Sequence, residues 1–337
     1  MDFSVIIAVR NEKKTIGKCL ESISKQNYSG SYEIIVVDGM SSDGTYQHLQ
    51  ELKNIYDFKL YKNPIINAAA GRNMGIKHSN GKLIAFIDGD AIADKNWLSS
   101  IISVFKRHGN KVAGVGGPDL LPIDSSDKER FIGLVMTSPL ARGGKLNPST
   151  QHSLSEKEES VGHIPTCNLC LQKQVLDEMN GFDEYFVKGQ DLELNHRIKK
   201  AGYILLYSPE VKVVHYRKNS IQNFARQIYK WAKAKVAIIK KHGMQGFISH
   251  VYLWPLYSVI ILAFSFIFFS LFSINLFIFM LFLGFISYIG VIFVASETLA
   301  KKFNEKKLIG YGLLLFPIIH ISYFLGVLSA LFRKKIW

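Results

Sequence analysis

The chain has 337 residues, 48% of them hydrophobic, and a formal net charge of +14. This length suggests about two domains, and three cysteines exclude a disulfide framework and fit a reducing compartment. Much of the positive charge flanks apolar segments of the C-terminal third. Basic residues at such positions typically contact anionic lipid headgroups, so no nucleic-acid partner is needed to explain the charge.

Residues 1–220 alternate buried-type apolar runs with amphipathic segments. Strands alternating with helices are typical of an α/β protein with a mostly parallel, doubly wound sheet. We predict strands at Phe3–Val9, Glu33–Val37, Phe58–Tyr61, Leu83–Asp90, Val112–Gly116, Tyr203–Tyr207 and Val211–His215. We predict helices at Lys13–Lys25, Thr45–Leu52, Ala68–His78, Lys95–His108 and from Asp191 to near Gly202.

Two carboxylates close the Leu83–Asp90 run. Residues two apart in an extended chain point to the same side, so Asp88 and Asp90 would stand side by side at the strand's carboxyl end. Ligands bind at that edge in open α/β sheets. Mg²⁺ takes one or two protein carboxylates together with phosphate oxygens. The pair therefore predicts a divalent-metal site for a phosphorylated substrate, with a solvated Asp-Gly-Asp turn as the alternative.

Cys167 and Cys170 have the spacing of half a zinc site. No second Cys or His pair with suitable spacing follows them, so a strand near an acceptor pocket is the favoured interpretation.

The apolar run Phe3–Val9 is too short for a signal peptide and lacks a basic segment before it. We therefore expect the first domain to stay in the cytoplasm. Ile221–Lys241 is amphipathic and basic, which favours a helix in the membrane interface over a core helix of the first domain. The predicted domains are residues 1–220, an interfacial segment at 221–245 and a membrane domain at 251–332.

Three apolar stretches, 251–272, 275–295 and 308–332, have the roughly 20 residues that a membrane span requires. They predict a multi-pass protein of the cell membrane. The positive-inside rule places the basic residues before the first stretch and between the last two in the cytoplasm. Three crossings would then put Arg333 outside, against the same rule, so the number of crossings stays open.

The first 240 residues resemble the family 2 glycosyltransferases, which have the GT-A fold. Several segments are similar to motifs of this family and occur in its order: Val5–Glu12 to the opening strand, Val36–Thr45 to the nucleotide-binding signature, Ala70–Gly75 to a segment near the donor, Phe86–Asp90 to the metal motif, Gly189–Asp191 to the acidic catalytic segment and Val213–Tyr216 to the site of a histidine.

This resemblance implies a nucleoside diphosphate sugar, UDP- or GDP-linked, as the donor. The implied donor-binding residues are Val9, Asn11, Glu12, Asp38, Asp43, Arg72 and Asp88. Asp88, Asp90 and His215 would bind Mg²⁺ or Mn²⁺, and Asp191 would be the base that takes the acceptor's proton in an inverting transfer. Two positions depart from the family pattern, because Gln190 and Gly39 stand where an acid is usual.

A segment of the basic helix is similar to an element of processive polysaccharide synthases. It comprises Gln227, Lys230 and Trp231, which the resemblance places at the acceptor end. Lys230 stands where those enzymes have arginine, and the two cations are not equivalent at a planar contact. Trp231 as a simple interfacial anchor is the alternative.

We therefore expect a membrane-anchored inverting glycosyltransferase. The resemblance implies a lipid-linked acceptor, polyprenyl or dolichyl, because membrane tails of this kind occur in the subset of the family that uses such acceptors. The alternatives are a processive polysaccharide synthase and a non-catalytic nucleotide-binding membrane adaptor. A nucleotidyltransferase is disfavoured, since no glycine-rich basic loop follows the first strand.

Overall fold

A computed structural model describes residues 1–109, 111–142, 155–216, 220–244, 250–270 and 273–333. The chain divides into two compact units. The first comprises Met1–Asp124 and Asn147–Arg217, and the second comprises Ser125–Leu146 and Lys218–Trp337. The sequence analysis had placed residues 125–146 in the first domain, but Phe131 and Val135 pack into the hydrophobic cluster of the second unit.

The first unit is built from eleven strands, six α-helices and one 3₁₀ turn in its described residues. The strands are β1 (Phe3–Val9), β2 (Tyr32–Asp38), β3 (Lys59–Lys62), β4 (Leu83–Phe86), β5 (Ala91–Ala93), β6 (Val112–Gly116), β7 (Asp119–Leu120), β8 (Glu159–Ser160), β9 (Leu169–Gln172), β10 (Ile204–Tyr207) and β11 (Val213–His215). Its helices are α1 (Ile16–Ser24), α2 (Thr45–Leu52), α3 (Ala68–Lys77), α4 (Trp97–His108), α7 (Lys173–Glu178) and α8 (Gln190–Lys200), with a short 3₁₀ turn at Thr166–Asn168.

Eight strands form the main sheet in the order β3-β2-β1-β4-β9-β6-β10-β8, and β5-β11-β7 form a small second sheet. The prediction of a mostly parallel sheet flanked by helices is confirmed, since β3, β2, β1 and β4 run parallel and so do β6 and β10. Two strands differ from a doubly wound parallel sheet. β9 lies antiparallel between β4 and β6, and the edge strand β8 pairs antiparallel with β10.

The central strand β1 is buried on both sides, which explains its near-continuous apolar sequence. Ile7 packs into a cluster with Ile16 and Leu20 of α1, whereas Ile6 packs into a second cluster that contains Ala69 and Ile76 of α3. Gly75 allows α3 to approach closely, because a Cβ there would lie 2.5 Å from Ile6 Cγ2.

One predicted strand is too long. β4 ends at Phe86, and the chain turns so that Ala91 N–H donates to the Asp88 carbonyl at 3.0 Å. Asp88 and Asp90 are therefore loop residues, and strand alternation does not bring them together.

The second unit contains α5 (Asp127–Met136), α6 (Pro139–Arg142), α9 (Ile221–His242), α10 (Trp254–Ser270), α11 (Ile274–Phe303) and α12 (Lys307–Leu331). α9 packs against α12, where Tyr229 Oη donates to Ser329 Oγ at 2.8 Å. Lys240 Nζ donates to the carbonyls of Ala330, Leu331 and Arg333 at 2.7–3.0 Å. These bonds satisfy carbonyls that have no partner within the end of α12.

Two of the described helices, α11 and α12, are long and apolar enough to cross a membrane. They correspond to the predicted stretches 275–295 and 308–332. The first predicted stretch forms α10, a shorter helix of 17 residues, while residues 271 and 272 of that stretch lie outside the described residues. The prediction of three spans is thus not supported. Along α11, large apolar side chains such as Phe282 and Phe285 are exposed, as expected of a surface that meets lipid.

Candidate active site

Two carboxylates and an imidazole converge beside the small sheet. β11 pairs with β5 so that His215 lies opposite Ala91, and Tyr216 N–H donates to the Asp90 carbonyl at 2.8 Å. This pairing places His215 Nε2 at 3.1 Å from Asp90 Oδ1. Asp88, Asp90 and His215 each offer a ligand atom, and these atoms lie within 4.8 Å of one another. The three predicted metal ligands are therefore together.

This donor set fits a divalent cation. Carboxylate oxygens suit Mg²⁺ and Mn²⁺, and an imidazole nitrogen also suits first-row metals. Burial disfavours a charged His215, yet Cys167, Asp119 and Asp90 hold the pKa of its imidazole well above the usual value. The surroundings of His215 thus favour a positive charge, and a bound metal ion would supply that charge in place of the imidazole proton.

Asp119 and Cys167 lie on the other side of His215. Asp119 Oδ2 is 3.9 Å from His215 Nδ1, and Asp119, Cys167 and His215 form a second group of close ligand atoms. Burial raises the pKa of Cys167 to about 11, which disfavours the thiolate form that zinc prefers. Cys170 belongs to neither ligand group of the described residues and lies in the core opposite Ala85 and Val115. The favoured reading of this segment as a strand agrees with β9.

Arg72 connects the metal-ligand cluster to the predicted base. It lies on α3, whose N-terminus is capped by the Asn67 side chain accepting from Ala69 N–H at 2.8 Å. The buried guanidinium donates from Nη2 to Asp88 Oδ1 at 3.1 Å. It also lies close enough to Asp191 to lower that carboxyl's pKa. Arg72 is thus shared by the two acids.

Asp191 lies in the first turn of α8, where a carboxylate is favoured by the helix dipole. Its Oδ1 accepts from Leu192 N–H at 2.8 Å, and its Oδ2 lies 3.4 Å from His163 Nε2. Burial alone would raise the pKa of Asp191, but His163, Arg72 and the Leu192 N–H lower it to about 2. Asp191 is therefore ionised at neutral pH, as a proton acceptor must be.

The start of α8 is held by a second arginine. Arg197 donates to both carboxylate oxygens of Glu193 at 2.7 and 2.8 Å, to the Gly181 carbonyl at 2.9 Å and to the Met179 carbonyl. Gln190, which replaces a family acid, is buried and donates to the Val187 carbonyl at 3.0 Å. Its amide therefore fastens the loop that leads into Asp191.

Asp38 ends β2 at the predicted donor edge. Its Oδ2 accepts from Ser41 N–H at 3.1 Å, whereas its buried Oδ1 has no hydrogen-bond partner among the described residues. A buried acceptor without a donor is costly, and a ligand N–H or O–H would satisfy it. The adjacent Val9 is buried, and its carbonyl accepts from Gly39 N–H at 2.8 Å.

The loops after β1 and β2 are joined by hydrogen bonds of three other predicted donor residues. Asn11 Oδ1 accepts from Ser42 N–H at 2.8 Å, and Glu12 N–H donates to Thr45 Oγ1 at 2.9 Å. Asp43 accepts from the N–H groups of Lys13 and Thr45 at 3.3 and 3.0 Å. These three residues set the shape of the donor edge, and their direct contact with a donor stays a prediction.

The predicted acceptor residues belong to α9 of the second unit. Gln227 and Lys230 are exposed, and Trp231 is partly buried against that unit's hydrophobic cluster. Their role in acceptor binding stays a prediction.

His163 and Asp119 are the site residues that sequence analysis missed. Neither residue falls in a recognisable motif. Both come next to predicted residues through strand pairing and loop packing, and no local sequence signal marks them.

Two family models match overlapping parts of the chain. The model of the "Glycosyl transferase family 2" matches residues 4–121, and that of the "Glycosyl transferase family group 2" matches residues 83–293. The dolichyl N-acetyl-alpha-D-glucosaminyl phosphate 3-beta-D-2,3-diacetamido-2,3-dideoxy-beta-D-glucuronosyltransferase of Methanococcus voltae is 28% identical, over 69% of this chain and 72% of its own length. Glycosyltransferase AglE of Haloferax volcanii is 29% identical, over 63% of this chain and 66% of its own length.

A solved structure shows a similar fold. The mannosyltransferase PcManGT of Pyrobaculum calidifontis, in complex with GDP-Man and Mn²⁺, superposes with a TM-score of 0.65 at 16% identity, covering 99% of this chain and 88% of that one. The second family model spans more than half of the chain, and its match includes Asp88, Asp90, Asp191 and His215. The chain is therefore a family 2 glycosyltransferase with the GT-A fold.

Proposed function

We propose that this enzyme transfers a sugar from a nucleoside diphosphate sugar to a lipid-linked acceptor, with inversion at the anomeric carbon. One observation supports the proposal most strongly. Arg72 pairs with Asp88 of the ligand cluster and also lowers the pKa of Asp191. The base for the acceptor and the ligand cluster for the diphosphate thus share the positive charge of Arg72.

The donor would lie along the edge formed by the ends of β1 and β2. Asp38 Oδ1, which has no partner among the described residues, would accept from the base or ribose of the nucleotide. The name of the M. voltae relative specifies transfer of a glucuronosyl-type sugar, whereas the PcManGT structure contains GDP-Man, so the base and the sugar are decided by experiment.

Asp88, Asp90 and His215 would hold Mg²⁺ or Mn²⁺, which neutralises charge on a departing diphosphate. Arg72 adds a fixed positive charge at the same place. The protein's own carboxylates are thereby kept from repelling the phosphates.

Asp191 would take the proton of the acceptor hydroxyl as that oxygen attacks the anomeric carbon. His163 and the Leu192 N–H orient its carboxylate, one on each oxygen. A positioned base of this kind is worth about 10²–10⁴-fold in rate. Attack from the face opposite the diphosphate inverts the configuration.

We propose a lipid-linked acceptor on two grounds. The second unit carries two helices long and apolar enough to cross a membrane. The name of the M. voltae relative specifies a dolichyl phosphate-linked sugar as its acceptor. Both favour an enzyme anchored in the membrane where such acceptors reside.

The test is release of nucleoside diphosphate by the lipid-reconstituted protein. A panel of UDP- and GDP-sugars is offered with Mn²⁺ or Mg²⁺ and a polyprenyl-linked saccharide. We expect metal-dependent release with one donor and addition of a single sugar. Long products would instead indicate a processive synthase, and donor binding without release on any acceptor would favour the adaptor.

A further inference from the structure

Two lysines of α9 have opposite surroundings. Lys240 Nζ donates to three carbonyl oxygens, as described above. Lys235 Nζ instead lies 4.5 Å from the ring centroid of Tyr252 and 5.0 Å from that of Tyr323. Within the residues that the structure describes, Lys235 has no hydrogen-bond acceptor and no carboxylate partner. Ring faces attract a cation, but they do not replace oxygen acceptors for its three N–H donors.

The aromatic walls beside Lys235 are fixed by their own contacts. Tyr323 of α12 donates from Oη to the Tyr252 carbonyl at 3.1 Å. The Trp254 ring lies nearly parallel to that of Tyr323, at 9° and a centroid distance of 6.5 Å. Three segments of the second unit, α9, residues 252–254 and α12, therefore converge at this ammonium group.

The Lys235 side chain is only partly accessible, so its charge is costly without an acceptor. Burial lowers the pKa of Lys235 to about 8, which leaves it mostly protonated at pH 7. Tyrosine and tryptophan are enriched at the membrane–water interface, and the anions at that depth are lipid phosphates. Basic pockets between membrane helices bind such headgroups.

We propose that Lys235, between the rings of Tyr252 and Tyr323, binds the phosphate group of a membrane lipid. The phosphate oxygens accept from the ammonium, and the tyrosine and tryptophan rings line the adjoining lipid chain. The phosphate comes from a polyprenyl phosphate carrier or from a bulk phospholipid, which present the same chemistry. The proposal goes beyond sugar transfer, because binding requires no donor.

The test measures lipid binding by native mass spectrometry of the detergent-solubilised full chain, without sugar nucleotide. The probes are farnesyl phosphate, farnesol and dioctanoyl phosphatidic acid. We expect the wild type to bind farnesyl phosphate at least about tenfold more tightly than farnesol, because only the phosphate offers the ammonium a charged hydrogen-bond acceptor. Lys235→Met removes this preference, whereas Lys241→Met, an exposed lysine of the same helix, retains it.

If Lys235→Met binds phosphatidic acid more weakly than the wild type does, bulk phospholipid is identified as a source of the phosphate. If the variant loses affinity for farnesyl phosphate alone, the carrier is identified. Equal wild-type affinity for farnesyl phosphate and farnesol overturns the proposal. The proposal is also overturned if Lys235→Met binds farnesyl phosphate and phosphatidic acid as tightly as the wild type does. If Lys235→Met fails to fold, Tyr323→Leu replaces it, since loss of one ring wall should also weaken phosphate binding. Because no donor is present, failure of sugar transfer leaves these results unaffected.

Discussion

At the scale of single residues, the carboxylates of the ligand cluster are each matched by a cation. Asp88 pairs with Arg72. Asp90 pairs with His215, which lies 125 positions after Asp90 in the sequence. Two neighbouring acids can therefore remain close in the protein without a metal ion. A metal that binds Asp90 and His215 must enter between them, so its affinity depends directly on both ligands.

Asp90→Asn should weaken Mn²⁺ binding at least about tenfold, because it removes an anionic ligand and leaves a weaker amide oxygen. The affinity is measured by electron paramagnetic resonance of free Mn²⁺ in the presence of nucleoside diphosphate. Asp57→Asn, at an exposed position outside the cluster, serves as the matched control. Unchanged Mn²⁺ affinity in Asp90→Asn would remove Asp90 from the metal site.

His163→Gln should move the acidic limb of the pH–rate profile upward. The lowered pKa of Asp191 keeps this base ionised until the pH falls toward about 2. Without His163, burial still raises that pKa while the largest opposing contribution is gone, so protonation begins at a higher pH. The profile of kcat/KM is compared for wild type, His163→Gln and the partly exposed control His48→Gln. Superimposable profiles would show that His163 does not position or tune the base.

The sequence predicts which motif residues come together but not their neighbours. Asp88, Asp90 and His215 do meet, although the strand alternation expected to align the two acids is absent, since β4 ends at Phe86. His163 and Asp119 are absent from the predicted site because their contacts arise only when distant segments pack.

At the scale of secondary structure, the helix pair α9–α12 depends on a close approach. A Cβ on Gly326 of α12 would lie 2.5 Å from the Tyr229 carbonyl oxygen and 2.7 Å from Ala232 Cβ. Both obstacles belong to the framework of α9 rather than to a flexible side chain, so the helices would have to separate.

Gly326→Ala should therefore destabilise the second unit by about 1–3 kcal/mol, the usual cost of overpacking. Gly310→Ala is the matched control on the same helix, because a Cβ there meets nothing within 4 Å. The midpoint of thermal unfolding in detergent is expected to fall for Gly326→Ala and to stay the same or rise for Gly310→Ala. Equal midpoints would mean that this helix contact contributes little.

Elements with a strong apolar period were predicted closely, and weaker ones were not. β1 and α2 have the predicted bounds, and α9 differs by a single residue. The antiparallel direction of β9 has no local signal, because four buried residues look the same in either direction. Residues 127–136 form α5, whose packing partners lie in the C-terminal half of the chain.

At the scale of the whole molecule, the chain combines a GT-A unit with an apolar helical unit. The alternation of strands and helices was enough to predict the first, and span-length apolar stretches were enough to predict α11 and α12. The described residues contain two candidate spans rather than the three predicted, because the described helix of the first apolar stretch, α10, has 17 residues and falls short of the length required.

The most direct test of the account is donor binding and sugar transfer measured side by side on Asp191→Asn. Binding of the nucleoside diphosphate sugar with Mn²⁺ is followed by calorimetry, and transfer by release of nucleoside diphosphate. The account predicts wild-type donor affinity and a transfer rate lowered by about 10²–10⁴-fold, because the base acts on the acceptor alone. Transfer at the wild-type rate by a variant that still binds donor would contradict the assignment of Asp191 as the base.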